Sequence, residues 1–515
     1  SCQPFLLKAE AGMADVFLEA RGIYKSYEGV QALRDVSLAI GRGEVHCLVG
    51  ENGSGKSTLI KIIGGVVEPD RGVVVIGGRP HHHLAAIDAI RQGIQIIYQD
   101  LSLYPNLSVA ENISFNQFVE RRSSFVSWRD MRAIAERGLA EIGEKVDLRE
   151  NVQNLSVAKR QIVAIARSLT QDARLIIMDE PTSAITGEDV KHLFSVIARL
   201  KAKGISTLFI SHKLSEIFEI AEMVTILRDG RKVGDFPAAE LDDAKLTYLM
   251  TGRKIEYTPY RAPEKKAAPL LEVRSLSRKG HFQNVSFSLW PGEILGLTGL
   301  IGSGRTELAL ALFGLNPPDS GQILLNGKPV RIRSPGQAGR LGIGYLPEDR
   351  LTQGLFISQS IGDNIVVTVL KKLLGALGLL DQVKRRKTEK RWLEELAIKA
   401  PSARVRAWSL SGGNQQRVVL AKWLATDPKV FILDGPTIGI DIASKSNIHQ
   451  IVRALAERGI AIILISDEIP EILHNCSRAL VMREGRLERE IQDVSAVSEE
   501  ELLTAVGAKL GNGAA

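Results

Sequence analysis

The chain has 515 residues, 44% hydrophobic and 24% charged, with a formal net charge of +7, the balance of an ordinary globular protein of two to four domains. No apolar run approaches the roughly 18 residues of a membrane-spanning helix. The three cysteines share no motif spacing, which excludes a disulfide framework and fits a reducing compartment.

The opening residues, SCQPFLLKAEAG, lack the basic start, long apolar core and cleavage site of a signal peptide, and Met13 reads as a natural start. Residues 1–15 are therefore expected to be a tail. VFLEARGIYKSY, from Val16, is strand-like and opens the first half. The apolar strand VHCLV contains Cys47, a small core residue, and leads into GENGSGKST at residues 50–58. This stretch (Gly50, Glu51, Asn52, Gly53, Ser54, Gly55, Lys56, Ser57, Thr58) fits the P-loop pattern G-x-x-x-x-G-K-[ST] in full, and a helix-like LIKIIGG follows it. Its glycines let backbone N–H groups converge on phosphate oxygens, and the helix start adds a positive dipole end. Lys56 is placed to reach the β- and γ-phosphates and Ser57 to ligate Mg²⁺. His81, His82 and His83 read as an exposed turn without partner ligands, and Met131 begins a helical stretch that serves packing. LIIMDEP delivers Asp179 to the phosphate end of a strand, where it can hold Mg²⁺, and Glu180 beside it can orient or deprotonate a water. LFISHKL places His212 at the end of another apolar strand, within reach of a γ-phosphate.

The chain then repeats itself. GEVHCLVGENGSGKST returns as GEILGLTGLIGSGRTE, LSVAKRQ as LSGGNQQ, and LIIMDEPTSAIT as VFILDGPTIGID. This marks a duplicated domain of about 240 residues and not a short-period solenoid. The proline- and charge-rich RKIEYTPYRAPEKKAAP between the copies reads as a linker. The expected boundaries are 16–253 for the first domain, 254–268 for the linker, 269–510 for the second domain and 511–515 for a tail. Short Val/Ile/Leu runs alternate with helix-length segments in each half. That argues an α/β fold with a mixed, mainly parallel core sheet, and the strand-like openings argue an added antiparallel β layer. KRRKTEK reads as an exposed helix face, not a nucleic-acid patch, since no aromatics are interleaved.

LSGGNQQRVVLAKWLATDPKVFILD, at residues 410–434, resembles the signature of ABC ATPases, with Ser411, Gly412, Gly413 and Asn414 at a helix start. The resemblance covers about residues 16–507. It implies two tandem P-loop ABC ATPase domains with helical subdomains, using ATP and Mg²⁺. It also implies a site completed by the signature of the opposite domain. It further implies Tyr27 as the adenine-stacking aromatic, with Tyr24 as an alternative, Gln99 as the Q-loop glutamine near Mg²⁺, and residues 183–186 as the D-loop. The fused halves, together with GYLPEDR at residues 344–350, resemble the bacterial importer ATPases for monosaccharides and autoinducer-2. That narrower likeness implies a peripheral subunit on the cytoplasmic face of the inner membrane. It would energise a transmembrane permease fed by a periplasmic sugar-binding protein, with no nucleic-acid partner. A nucleoside importer ATPase, a soluble tandem ATPase acting on ribosomes or nucleic acid, and a non-hydrolysing scaffold are the other readings. The short linker and the single degraded site weigh against the second, the complete first motif set against the third.

The two motif sets are unequal. The second loop keeps Gly299, Gly302, Gly304 and Thr306 but has Arg305 where Lys56 stands in the first. Arginine keeps the charge but not the compact ammonium. Glu348 stands at the Q-loop position, Gly435 follows Asp434 where the glutamate is expected, and Asp467 stands where His212 does. The first half's signature keeps Ser156 but has Val157 and Ala158 for the glycines. All these departures fall on one of the two sites that the resemblance implies. One complete hydrolytic site and one degenerate site are therefore expected.

Overall fold

The computed structural model describes residues 16–27, 30–120, 126–182, 185, 187–211, 213–253, 259–262, 268–300, 302–375 and 378–507. Both expected tails and most of the expected linker lie outside the described residues. The chain divides into two compact units, Ser1–Ile255 and Glu256–Ala515.

In the first unit, β1 (Val16–Tyr27), β2 (Val30–Gly41), β4 (Arg71–Ile76) and β5 (Arg79–His81) form an antiparallel sheet in the order β2-β1-β4-β5. Alternation sets its faces: Val36, Leu38 and Ile40 of β2 are buried while Asp35, Ser37 and Ala39, each preceding one of them, are exposed. The core sheet holds β3 (Val45–Gly50), β6 (Ile94–Ile97), β7 (Leu175–Asp179), β8 (Ser206–Ile210), β9 (Met223–Arg228) and β10 (Arg231–Pro237) in the order β10-β9-β3-β8-β7-β6. Only β10 runs antiparallel to its neighbour. Continuous apolar runs suit these strands because both faces are covered. Phe17 and Leu18 of the antiparallel layer share one core with Leu48, Ile177 and Leu208 of the core sheet and Leu59 of the helix Lys56–Ile63. Helices Val109–Glu120, Trp128–Glu141 and Val157–Leu169 pack on one another as a helical part, with Met131 buried.

The second unit repeats the plan. β11 (Leu271–Arg278), β12 (Phe282–Leu289), β14 (Ser320–Leu325) and β15 (Lys328–Val330) form the antiparallel sheet in the order β12-β11-β14-β15. β13 (Ile294–Gly299), β16 (Ile343–Leu346), β17 (Val430–Asp434), β18 (Ala461–Ile465), β19 (Arg478–Arg483) and β20 (Arg486–Ile491) form the core sheet in the order β16-β17-β18-β13-β19-β20. Registers match as well: Ile94 pairs Leu175 as Ile343 pairs Val430. Gln99 and Glu348 each follow the edge strand by two residues after its last paired position, so they occupy equivalent places. The architecture is the expected α/β arrangement in both halves. Within the stretch read as linker, Tyr260 is buried in the second unit's core, and its hydroxyl donates to the Gly292 carbonyl at 2.7 Å.

Candidate functional site

The first half's site is assembled at the C-terminal ends of adjacent parallel strands, where open α/β sheets bind ligands. β8 lies between β3 and β7, so Gly50 at the end of β3 and Asp179 at the end of β7 face the same edge. The P-loop backbone requires its glycines. Gly50 has φ +154°, and a Cβ there would stand 2.2 Å from the Leu227 carbonyl oxygen. Gly55, at φ +102°, begins the helix Lys56–Ile63 without a side-chain cap bond, and a helix start of this kind is where anions bind. Lys56 is buried, and its Nζ donates to the carbonyls of Gly50 at 2.6 Å and Glu51 at 3.0 Å. Ser54 Oγ is buried without a hydrogen-bond partner among the described residues. A helix start, an ammonium and an orphaned hydroxyl around a cradle closed to Cβ atoms fit a polyphosphate.

Asp179 is pushed above the ordinary carboxylate range by burial and by the charge of Glu180, against the pull of Lys56 and Lys61. Glu180 has φ +48°, a left-handed backbone that costs a non-glycine residue about 1–3 kcal/mol and is found most at functional sites. Its N–H donates to Ile210 O at 3.0 Å, tying the turn to β8. A buried carboxylate braces the surroundings: Thr182 and Ser211 hydroxyls each donate to Glu216 Oε2 at 2.7 Å. Gln99 is exposed just beyond β6. Its neighbour Tyr98 is raised by burial and by the charges of Asp179 and Asp100, which places this loop beside the Asp179 carboxylate. Ser57, Gln99 and Asp179 offer the oxygen ligands that Mg²⁺ prefers. Tyr27 is 44% exposed at the end of β1, with Lys25 Nζ 5.7 Å from its ring centroid; Tyr24 faces Arg71 instead. His212 and residues 183, 184 and 186 lie outside the described residues.

The second half has the same loop conformation, with Gly299, Gly302 and Gly304 at φ +155°, +80° and +97°. Burial lowers the Arg305 guanidinium, while the charges of Asp467, Asp434, Glu348 and Glu307 raise it again. An arginine thus stands here among four carboxylates. Burial pushes Asp434 up to about 6, against a Thr306 hydrogen bond; Glu348 adds to the rise, and Tyr345 and Arg305 oppose it. The Tyr345 hydroxyl donates to Asp434 at 3.2 Å. Gly435 reproduces the Glu180 backbone, with φ +55° and an N–H bond to Ile465 O at 3.0 Å. The space beyond it is taken: a Cβ there would stand 2.4 Å from Ile438 Cδ1 and 3.4 Å from Glu348 Cγ. Thr437 donates to the buried Glu471 at 3.0 Å, and His449 Nε2 lies 2.7 Å from the same carboxylate.

The signature segments also differ. Ser156 caps the helix Val157–Leu169 by accepting from Lys159 N at 3.4 Å, and Val157 is 38% exposed at its first position. Ser411 makes no cap bond to the helix Gly412–Leu424; its Oγ accepts from Asn414 Nδ2 at 3.0 Å. The glycines have a role beyond ligand approach, which sequence reasoning missed. A Cβ on Gly412 would meet Arg350 Nη2 at 2.9 Å, and one on Gly413 would meet Ser444 Oγ at 2.3 Å. Ile438, Glu216 and Glu471 were also missed, because their roles come from contacts across the chain; only the PEDR phrase gave any sign of Arg350. His83 pairs with Glu68 at 2.6 Å, and among the described residues no group of three or more His, Cys, Asp or Glu could hold a metal. No helix among them is long and apolar enough to cross a membrane.

The ABC transporter family model matches residues 33–183 and again 282–438. The ribose import ATP-binding protein RbsA 2 of Streptomyces avermitilis is 42% identical over 97% of this chain and 98% of its own length. The ribose import ATP-binding protein RbsA of Halalkalibacterium halodurans is 41% identical over 95% of this chain and 98% of its own. A putative ribose/galactose/methyl galactoside import ATP-binding protein of Pseudomonas fluorescens is 43% identical over 94% and 93%. Among solved structures, an ATP-binding cassette of an ABC transporter in its ADP conformation matches 46% of this chain and 99% of its own, at 24% identity and a TM-score of 0.42.

Proposed function

The chain belongs to the ABC transporter family, and from that premise we propose that it is the ATP-hydrolysing subunit of an importer for a simple sugar. Relatives matched over nearly their whole length are named for ribose import, and one for ribose, galactose and methyl galactoside, which supports a monosaccharide over a nucleoside. In this reading the chain sits peripherally on the cytoplasmic face of the inner membrane, bound to permease subunits. A periplasmic sugar-binding protein acts on it only through them.

Hydrolysis belongs to the first half's motif set. Lys56 and the N–H groups of residues 53–58 hold the phosphates, and Tyr27 carries the adenine ring. Ser57, Asp179 and Gln99 would hold Mg²⁺, which neutralises phosphate charge when bound. Glu180 accepts the proton of the attacking water, and the γ-phosphate contact is assigned to His212. Residues 411–414 carry the intact signature sequence. The second half's set binds nucleotide without appreciable turnover. The observation that carries this asymmetry is the pair of matching backbones, one bearing Glu180 and the other a glycine whose Cβ space Ile438 fills.

The test is ATPase activity and sugar uptake in vesicles holding this chain with its permease and binding protein. Glu180→Gln should lose at least about 10²-fold in turnover, while Arg305→Ala should keep most of it. Near-full activity in Glu180→Gln would refute the assignment of hydrolysis to the first half. Uptake of a nucleoside in preference to ribose or galactose would refute the sugar.

A further inference from the structure

Arg350 closes the phrase PEDR and opens a π-turn at Arg350–Gly354, a rare backbone form. It is half-buried, and its guanidinium spreads over three partners. Nη1 donates to Ile438 O at 2.7 Å, Nη2 to Gly439 O at 3.0 Å, and Nε to Gln415 Oε1 at 3.4 Å. Residues 438 and 439 belong to the segment after Thr437 that corresponds to the D-loop. Gln415 stands in the first turn of the signature helix Gly412–Leu424. One planar fork therefore joins the segment beside Glu348, the D-loop segment and the start of the signature helix.

The approach is close enough to constrain its neighbours. A Cβ on Gly412 would lie 2.9 Å from Nη2, and one on Gly439 would lie 3.1 Å from Nη1. The far end of the π-turn is pinned to the same helix. The buried Lys422 ammonium donates to Gly354 O, and a Cβ on Gly354 would stand 3.2 Å from Val419 Cγ2. In the first half the equivalent position is Leu101, which has no polar side chain. There the signature helix reaches the loop by itself, through Arg167 to the carbonyls of Ser102 at 2.8 Å and Leu101 at 3.2 Å.

We propose that Arg350 is a positioning residue that makes the second half's signature helix, D-loop segment and Glu348 loop move as one body, so that residues 411–414 are presented in a fixed orientation. A lysine cannot replace it, because an ammonium lacks the rigid fork that meets two carbonyls at once. The proposal rests on the ATPase reading above for its kinetic consequence, and on geometry alone for its mechanical one.

Arg350→Ala and Arg350→Lys are compared with the unsubstituted full-length chain. In the permease-bound complex both should lower kcat roughly ten- to hundredfold, since misplacement of about 1 Å costs that much, with the affinity for a fluorescent ATP analogue within about twofold. Amide exchange in the helix Gly412–Leu424 should quicken about tenfold in both variants while β17 and β18 are unchanged. Exchange reads the clamp even in a chain that hydrolyses nothing; absent ATPase activity in the unsubstituted complex would instead refute the proposed function. Unchanged exchange in Arg350→Ala, full rescue by lysine, or parallel losses of affinity and turnover would each overturn the proposal. Failure of both variants to fold would show a general packing role and overturn it as well.

Discussion

Ile438 Cδ1 lies 2.4 Å from the point where a Cβ on Gly435 would stand, and Gly435 itself holds a left-handed backbone. Glu180 adopts the same conformation at φ +48°, so the turn can hold a carboxylate, at the cost of about 1–3 kcal/mol that a non-glycine residue meets there. The isoleucine adds a steric conflict on top of that cost. Gly435→Glu alone should therefore leave the second half's hydrolysis absent and destabilise it by about 1–3 kcal/mol from the backbone alone, and by more while Ile438 crowds the new side chain. Gly435→Glu with Ile438→Ser, the residue of the first half's phrase, should recover the steric part of that loss and keep the backbone part. Thermal unfolding of the two variants checks this, and equal losses in both would contradict it.

Asp434 gives the second half a pH signature. Burial pushes its carboxyl up to about 6, above the ordinary carboxylate value. A folded pKa above the unfolded one means the folded state holds the proton more tightly between those values. Stability is then full below about 4 and falls as pH rises through 6, by up to about 3 kcal/mol. Asp434→Asn should flatten that slope. Denaturant midpoints of the parent and the variant between pH 4 and 7 measure it.

Gly413 packs against the side chain of Ser444, whose Oγ and Cβ would be 2.3 Å and 2.7 Å from an added Cβ. Rotating the hydroxyl removes only the first clash. Gly413→Ala should cost about 1–3 kcal/mol despite alanine's better helix propensity. Ser444→Gly in the same chain should recover part of the loss, which chemical denaturation of the double variant reads directly.

Glu216 holds Thr182 and Ser211, residues that flank Glu180 in space. Glu216→Ala leaves two buried hydroxyls without their acceptor, at about 1–3 kcal/mol each. Turnover should fall with stability. Glu216→Gln keeps an acceptor oxygen and should retain most of both, as calorimetry and ATPase assays on the two variants would register.

The duplicated α/β plan was legible because its signals are local. The spacing Gly50, Gly55, Lys56 specifies a backbone that few residues allow, and the runs LIIMD and LFI have the length and branching of buried strands. The loss of the second carboxylate at Gly435 was equally plain. What replaced it was not, since Ile438 reads as one more apolar residue until the turn folds it back. Arg350 reaches carbonyls 88 and 89 residues away in the chain, a relationship with no periodicity to betray it. The buried bases of the two turns, Glu216 and Glu471, were hidden for the same reason: a carboxylate inside an amphipathic helix looks like its solvated face.

Tyr260 bears on the order in which the molecule is made. Its hydroxyl is held by Gly292, and its N–H donates to the His474 carbonyl at 3.1 Å, more than two hundred residues further along. Domains emerging from the ribosome fold as units, the earlier one first. The first half contains its own contacts and can close while synthesis continues. Tyr260, although made just after it, has to wait until His474 has left the ribosome, so a stretch that precedes the second half in sequence is among the last to settle in time.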